Sequence, residues 1–384
     1  MFKEDLKINL CIITRIYPPL TGGAATYYSL LVSVLKNYNF MRINLITKMV
    51  FGQPLISSDH SNVRVYRILL PGLTVTKELF LLSTITSFIN RIIIYLWYLF
   101  MFKKDNSKKN ILHLHEEAFV NLKSNINLFS TKSRLIVDFR GMNHLPNSKQ
   151  DVLILKKYCD ALICASENIY NKMVALNLEK ISCHIPIPFD FLTRKKTKRK
   201  KDFLRKVRIY DIKPFICFIG NIHKRKGVFE LIQAFEILKH ELNVEIKLLF
   251  VGPNNIGKKF ASLVRRINNI HWISSLPHEH TQYVINETEM ICLPSLQEGL
   301  PRVCLEAIFL GKKFLGPASV PELKKNCPEF VIKTIKPDVL ADRIVQILKS
   351  NKIPQYDFGI HELENNAHLM KNLYDDVSNI SEVH

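Results

Sequence analysis

The stretch Pro294-Ser-Leu-Gln-Glu298-Gly299-Leu300-Pro301-Arg-Val-Cys-Leu-Glu306-Ala holds two carboxylates eight positions apart, across a turn and a helix start. Pro301 suits a first helical position, where its missing N–H costs nothing, and the free N–H groups of such a start can hold a phosphate. Glu298 would then project from the loop onto sugar hydroxyls on one side of a bound diphosphate. Glu306, over one turn into the helix, would face a ribose diol on the other side. A solvated helix residue or a loop charge would account for either carboxylate alone. Their spacing, with Pro-Ser before and Glu-Ala after, favours two groups acting on one ligand.

Other polar positions stand at strand ends. In Tyr17-Pro-Pro-Leu-Thr-Gly22-Gly23-Ala-Ala-Thr26 the glycine pair lies between a strand and a helix and lets backbone approach a ligand closely. His113-Leu-His115-Glu-Glu ends another strand. The two histidines alternate and so point the same way, but a metal site would need a third ligand and none is near in sequence. Lys226-Gly227 opens a helix in Phe218-Ile-Gly220-Asn221-Ile-His-Lys-Arg-Lys226-Gly227, a surface basic cluster or a grip on an anion.

These residues need a scaffold with many strand ends, and the hydrophobic pattern supplies one. Apolar runs at Ile8 to Thr14, Arg42 to Thr47, Val63 to Ile68, Ile111 to Leu114, Arg134 to Asp138 and Ala161 to Ala165 alternate with helix-length segments, as buried parallel strands do. A second set follows at Phe215 to Ile219, Val244 to Val251, Ile270 to Ile273, Met290 to Leu293 and Lys313 to Leu315, with helices such as Gly227 to His240 between them. The fold class is α/β, two doubly wound Rossmann-like domains. The expected division is residues 1–190, a basic linker 191–212 containing Arg194-Lys-Lys-Thr-Lys-Arg-Lys-Lys201, residues 213–360, and a C-terminal helix in 361–384 folding back across the domains. Such sheets bind ligands at the carboxyl ends of their strands.

A chain of 384 residues suits two domains. With 54 Lys and Arg against 34 Asp and Glu, the formal charge of +20 favours an anionic partner. The basic run lacks the interleaved aromatic residues of a base-stacking surface, so nucleic acid is not expected. Eight cysteines without CxxC spacing read as buried thiols, and no metal or cofactor is expected. The first residues lack the pattern of a signal peptide, so the expected location is the cytoplasm. Leu79 to Phe102 includes the apolar run Ile92 to Phe102, followed by Lys103-Lys104. Polar residues break the longer stretch below the about 20 apolar residues of a spanning helix. A helix at the membrane interface and an ordinary core helix remain the two readings.

The Glu298 to Glu306 block resembles the Glu, seven residues, Glu signature of family 4 of the retaining GT-B glycosyltransferases. The Phe218 to Gly227 block is similar to that family's strand, Gly-Arg-Leu loop and Lys-Gly helix start. The resemblance implies two Rossmann-like domains facing each other across a cleft, with transfer of a sugar from an NDP-sugar and retention at the anomeric carbon. It implies that Lys226 neutralises the donor diphosphate and that the Gly22-Gly23 loop lies opposite it. His115 matches a histidine near the transferred sugar, and Ser166 matches a strand-end serine. Gly299 and Leu300 belong to the donor loop, and Trp272 to Pro277 resembles the segment along the nucleobase. Three positions depart from the pattern. Asn221 replaces an arginine that contacts the diphosphate, Asp138-Phe-Arg140-Gly141 replaces a His-Gly, and Ile187-Pro188 replaces an Asn-Gly. Asp138 and Arg140 are expected as acceptor contacts. The apolar segment and basic surface suggest a saccharide or lipid-linked acceptor in polysaccharide or lipopolysaccharide synthesis, with the protein peripheral on the inner face of the cytoplasmic membrane. The rival is a catalytically inactive binding protein of the same fold.

Overall fold

The computed structural model describes residues 7–20, 23–68, 89, 91–100, 109–189, 202–205, 209–241 and 245–380. The chain forms two compact units, Met1–Asp190 with Gly359–His384, and Phe191–Phe358. Of the expected basic linker, Arg194 to Lys201 lies outside the described residues, and 202–205 and 209–212 are short helical turns.

The first unit is built on an eight-stranded sheet. Its strands are β1 (Ile8–Ile13), β2 (Met41–Lys48), β3 (Ile56–His60), β4 (Val63–Ile68), β5 (Lys109–His115), β6 (Arg134–Phe139), β7 (Ala161–Cys164) and β8 (Ser182–His184), in the order β3-β4-β2-β1-β5-β6-β7-β8. All neighbours are parallel except the β3/β4 pair. Central β1, Ile-Asn-Leu-Cys-Ile-Ile, is buried at every position, as a strand covered on both faces must be. Its one polar residue is satisfied across the sheet: Asn44 Nδ2 donates to Asn9 Oδ1 (3.1 Å), and Asn9 Nδ2 donates to Asn110 Oδ1 (3.2 Å).

Helix α1 (Gly23–Leu35) covers one face with Tyr27, Tyr28, Leu31, Val32 and Leu35. The C-terminal stretch returns to this unit. Asn366 Nδ2 donates to Pro186 O, and Phe189 N donates to His361 O. The last described helix (Leu363–Asn379) then brings Met370, Tyr374 and Val377 into the same core as Tyr27, Tyr28 and Leu31.

The second unit has six parallel strands, β9 (Phe215–Ile219), β10 (Lys247–Val251), β11 (Ile270–Ile273), β12 (Met290–Cys292), β13 (Lys313–Pro317) and β14 (Val331–Ile332), in the order β11-β10-β9-β12-β13-β14. The order departs in both directions from β9. The β9, β10 and β12 ends therefore open side by side, and the chemistry-bearing loops of this unit follow β9 and β12.

β3, β8 and β14 fall outside the expected strands. They are short and lie at or beside a sheet edge, where Ser-Ser-Asp or Ser-Cys-His suffices because little of the strand is covered. The expected Leu79 to Phe102 segment lies partly outside the described residues; residues 91–100 are helical. No described helix is long and apolar enough to cross a membrane.

Candidate functional site

In the second unit the loops after β9 and β12 are joined. After β9, Lys224–Lys226 make a 3-10 turn, capped by His223, whose Nδ1 accepts from Arg225 N at 3.3 Å. Gly227 ends the turn at φ 68°, and a β-carbon built there would lie 2.3 Å from the Pro294 carbonyl oxygen. Only glycine permits both that backbone conformation and that approach. Arg225 fastens the second loop: its carbonyl accepts from Leu296 N (3.2 Å) and Ser295 Oγ (3.4 Å), and its Nη1 donates to Gln297 O (3.1 Å). The result places Lys226 Nζ against Glu298 Oε1 as a largely enclosed ion pair, the two side chains 14% and 12% exposed. Residues 72 positions apart thus become one unit of charge.

Gly299 and Leu300, which follow Glu298, are buried. Pro301 takes the N-cap rather than the expected first helical position, and the helix runs Arg302–Phe309. Glu306 points from it into the protein interior, 4% exposed, with Arg302 Nε 3.9 Å from Oε1. Burial raises its pKa to about 7, against the lowering effect of the Arg302 guanidinium. A buried carboxyl group near half-protonation at neutral pH is a group whose state a ligand can set.

Asn221 is exposed after Gly220. Its neighbourhood is fixed by a second close approach, since a β-carbon on Gly252 (φ 141°) would lie 2.1 Å from Gly220 O. Gly220 N donates to Val251 O (2.9 Å), Ile222 N to Pro253 O (2.9 Å), and Trp272 Nε1 to Gly252 O (2.9 Å). The ends of β9, β10 and β11 are therefore held together at the side where Lys226 and Glu298 meet.

In the first unit, Gly22 lies outside the described residues. Gly23 begins α1, exposed, with open space where a β-carbon would stand. His115 ends β5 and caps the helix Glu116–Leu122, its Nδ1 facing Glu117 N at 3.5 Å. Burial lowers its pKa to about 4, opposed by Asp138 and reinforced by Arg140, so the ring is neutral near pH 7. Tyr28 stands edge-on to it, ring centres 5.6 Å apart.

Asp138 and Arg140, expected as acceptor contacts, are instead members of a buried network. Asp138 is fully buried and accepts from Tyr28 Oη and His113 Nε2, each at 3.2 Å. Arg140 Nε lies 2.6 Å from Asp138 Oδ1, and the guanidinium is stacked 3.5 Å over the Tyr27 ring. Tyr374 Oη donates to His113 Nδ1 (2.8 Å), which ties the C-terminal helix into the same cluster. Burial alone would raise the Asp138 pKa, but Arg140 and the His113 hydrogen bond outweigh it and hold it at about 2. The charges sit at i and i+2 of a strand end, so they share a face and pair inward rather than projecting outward.

Ser166 is fully buried, and its Oγ accepts from Ile169 N (3.4 Å) as the N-cap of the helix Glu167–Ala175. Ser166→Ala is expected to cost about 1 kcal/mol through loss of that cap, read as a lower urea midpoint. A fall in turnover with an unchanged midpoint would give the serine an acceptor role instead. Glu116 was not singled out in the sequence: its Oε2 accepts from Arg140 N (2.8 Å) and Gly141 N (2.9 Å), latching the β6 loop. The available signal was a consecutive Glu pair directly after a strand, where one carboxylate can serve the next strand's loop.

Residues 199–357 match the family described as Glycosyl transferases group 1. An uncharacterized glycosyltransferase of Methanocaldococcus jannaschii is 22% identical over 387 residues, covering 90% of this chain and 91% of that protein. Among solved structures, the E. coli trehalose-6-phosphate protein bound with UDP-2-fluoro glucose superposes with a TM-score of 0.69 at 11% identity, covering 97% of this chain and 99% of that one. Sucrose-phosphate synthase of Thermosynechococcus elongatus gives a TM-score of 0.67 at 14% identity, covering 98% and 100%. The matched segment, which carries Lys226, Glu298 and Glu306, is thus similar to the group 1 glycosyl transferases, and the chain, with its two parallel-sheet units, has the GT-B fold.

Proposed function

We propose that the protein transfers a sugar from an NDP-sugar to a saccharide or lipid-linked acceptor with retention of anomeric configuration, as a hexosyltransferase or related enzyme of family 4. The observation that carries the reading is the enclosed Lys226–Glu298 pair on the loop that leads into the helix bearing buried Glu306. In this reading the donor diphosphate takes over Lys226, whose positive charge stabilises the charge that develops on the leaving group. Glu298, released from the lysine, orients the hydroxyls of the sugar. Glu306 accepts from the ribose diol, with Gly299 and Leu300 shaping the loop between them and Asn221 at its border. The Gly22-Gly23 loop is proposed to serve the diphosphate, and His115, neutral and able to hydrogen-bond, the transferred sugar. Attack occurs on the face the diphosphate leaves, and the leaving phosphate takes the acceptor proton, so no covalent glycosyl-enzyme forms. No metal is called for, because Lys226 supplies the positive charge.

Asp138 and Arg140 act on the acceptor side through the elements they brace, and Ser166 by holding its helix start. The protein would serve polysaccharide or lipopolysaccharide synthesis from the cytoplasmic side, peripheral on the inner face of the membrane. The test is proton NMR of the first product from an active donor and acceptor pair; an inverted anomeric configuration would contradict retention. A second reading, an inactive binding protein, is favoured by Asn221 standing where the family has arginine. It predicts donor binding with no turnover across acceptors.

Nucleotide affinity is expected to depend on pH. Ionised Glu306 accepts hydroxyl hydrogens and protonated Glu306 competes as a donor, so affinity should fall up to about tenfold per pH unit below about 7. Calorimetric titration from pH 8 to 5.5 checks this, and Glu306→Gln should flatten the profile. A wild-type affinity independent of pH would remove Glu306 from the ligand.

A further inference from the structure

The described part of the apolar segment has its greasy face turned outward. Ile94 and Tyr98 are buried, with Tyr98 Oη donating to Phe129 O (2.6 Å). Ile89, Ile92, Leu96 and Phe100, at helical spacings of three and four, are 40%, 44%, 58% and 66% exposed. On a helix these four positions form one ridge. A second exposed apolar group adjoins it. Trp97 of the helix packs on Tyr66 of β4 (ring centres 5.2 Å), and Tyr66 pairs with Ile56 of β3. Ile56, Leu55 and Phe51, running back along that edge strand into its loop, are 56%, 59% and fully exposed.

We propose that this corner of the first unit is a membrane-docking surface, fitted to the interface of an anionic phospholipid bilayer. The inference rests on the membrane placement proposed above and gives it residues and a lipid charge. Charge selects the occupant. No Asp or Glu occurs from Ile89 to Lys104, Arg91 lies within the ridge segment, and Lys103, Lys104, Lys108 and Lys109 follow it in sequence. Apolar side chains flanked by cations, with Tyr95 and Trp97 between, suit the boundary of acyl chains and negative headgroups. A second copy would bring a charge of +20 against +20 and is disfavoured by repulsion. The ten described residues 91–100 form about 15 Å of helix, enough for its exposed ridge to lie in the interface.

The experiment is flotation of the full chain with vesicles of phosphatidylcholine alone, or containing about one third phosphatidylglycerol. The protein should float with the anionic vesicles only. Leu96→Asp/Phe100→Asp should weaken the association on the order of 100-fold with an unchanged melt, since both side chains are exposed. Leu96→Gln/Phe100→Gln, which adds no negative charge, should weaken it in the same direction. Lys198→Gln/Arg199→Gln should reduce it less. Wild-type protein that stays unbound overturns the proposal. So does a double variant that floats as well as wild type, which would leave the basic run as the anchor. A double variant that changes sedimentation from dimer to monomer would make the ridge a contact between copies. Nucleotide-induced thermal shifts should survive in every variant; their absence in the wild type would sink the transfer reading while leaving the docking result standing.

Discussion

Gly227→Ala is expected to destabilise the second unit by about 2–4 kcal/mol and to abolish nucleotide binding. The alanine β-carbon would need to occupy a point 2.3 Å from the Pro294 carbonyl oxygen, with the backbone held at φ 68°. The obstacle is main chain, so no rotamer relieves it. The loops must separate, and separation breaks the Arg225 bonds to Leu296, Ser295 and Gln297 that set Lys226 against Glu298. Urea unfolding and nucleotide titration of the same preparation measure both effects. A variant with the native midpoint and native affinity would show that the approach of the two loops does not build the site.

Asp138→Ala should cost about 3–5 kcal/mol, because it leaves the Arg140 guanidinium, 8% exposed, without its counter-ion. It also removes the acceptor for Tyr28 and His113, so the loss should reach the C-terminal helix through Tyr374. Replacing the pair together, Asp138→Leu/Arg140→Met, should recover most of the loss, since the desolvation cost of both charges is removed. The pH dependence follows from the direction of the shift. With the folded pKa lowered to about 2, the stability Asp138 contributes is complete above the unfolded carboxylate value near 4 and is lost as pH falls through about 2. Chemical denaturation of wild type and the two variants between pH 7 and 2 checks this. Equal losses for the single and paired substitutions would mean that the cluster acts by shape rather than charge.

Much of the scaffold was legible in the sequence because both faces of a central parallel strand are covered. Ala161 to Ala165, Phe215 to Ile219 and Met290 to Leu293 carry that burial as uninterrupted apolar composition, and the structure has strands within those stretches. Outlying strands escape the same logic: Ile56–His60 contains Ser-Ser-Asp-His and Ser182–His184 no aliphatic residue. For the site, residue type and spacing pointed to Lys226, Glu298 and Glu306, but not to the first two meeting as an ion pair. That contact depends on Gly227 passing under Pro294, a feature of backbone geometry with no periodic signature.

The buried network of Asp138 and Arg140 was not legible for a related reason. At a strand end, charges two apart read as exposed loop groups. Their inward pairing is fixed by Tyr27 and Tyr28 from α1, His113 from β5 and, through His113, Tyr374 from the far end of the chain. None of these is adjacent in sequence. Glu116 likewise owes its position to the two N–H groups of a loop one strand away.

The central claim is that the Lys226–Glu298 pair and Glu306 form a nucleotide-sugar donor site. Thermal melting in a panel of nucleoside diphosphates and NDP-sugars, with wild type, Lys226→Ala and Glu306→Ala side by side, tests it most directly. One nucleotide series should stabilise the wild type, by about 2.7 kcal/mol at a hundred times its dissociation constant, and both variants should lose that shift while still melting cooperatively. A wild type indifferent to every nucleotide, or variants that shift as far as the wild type, would contradict it.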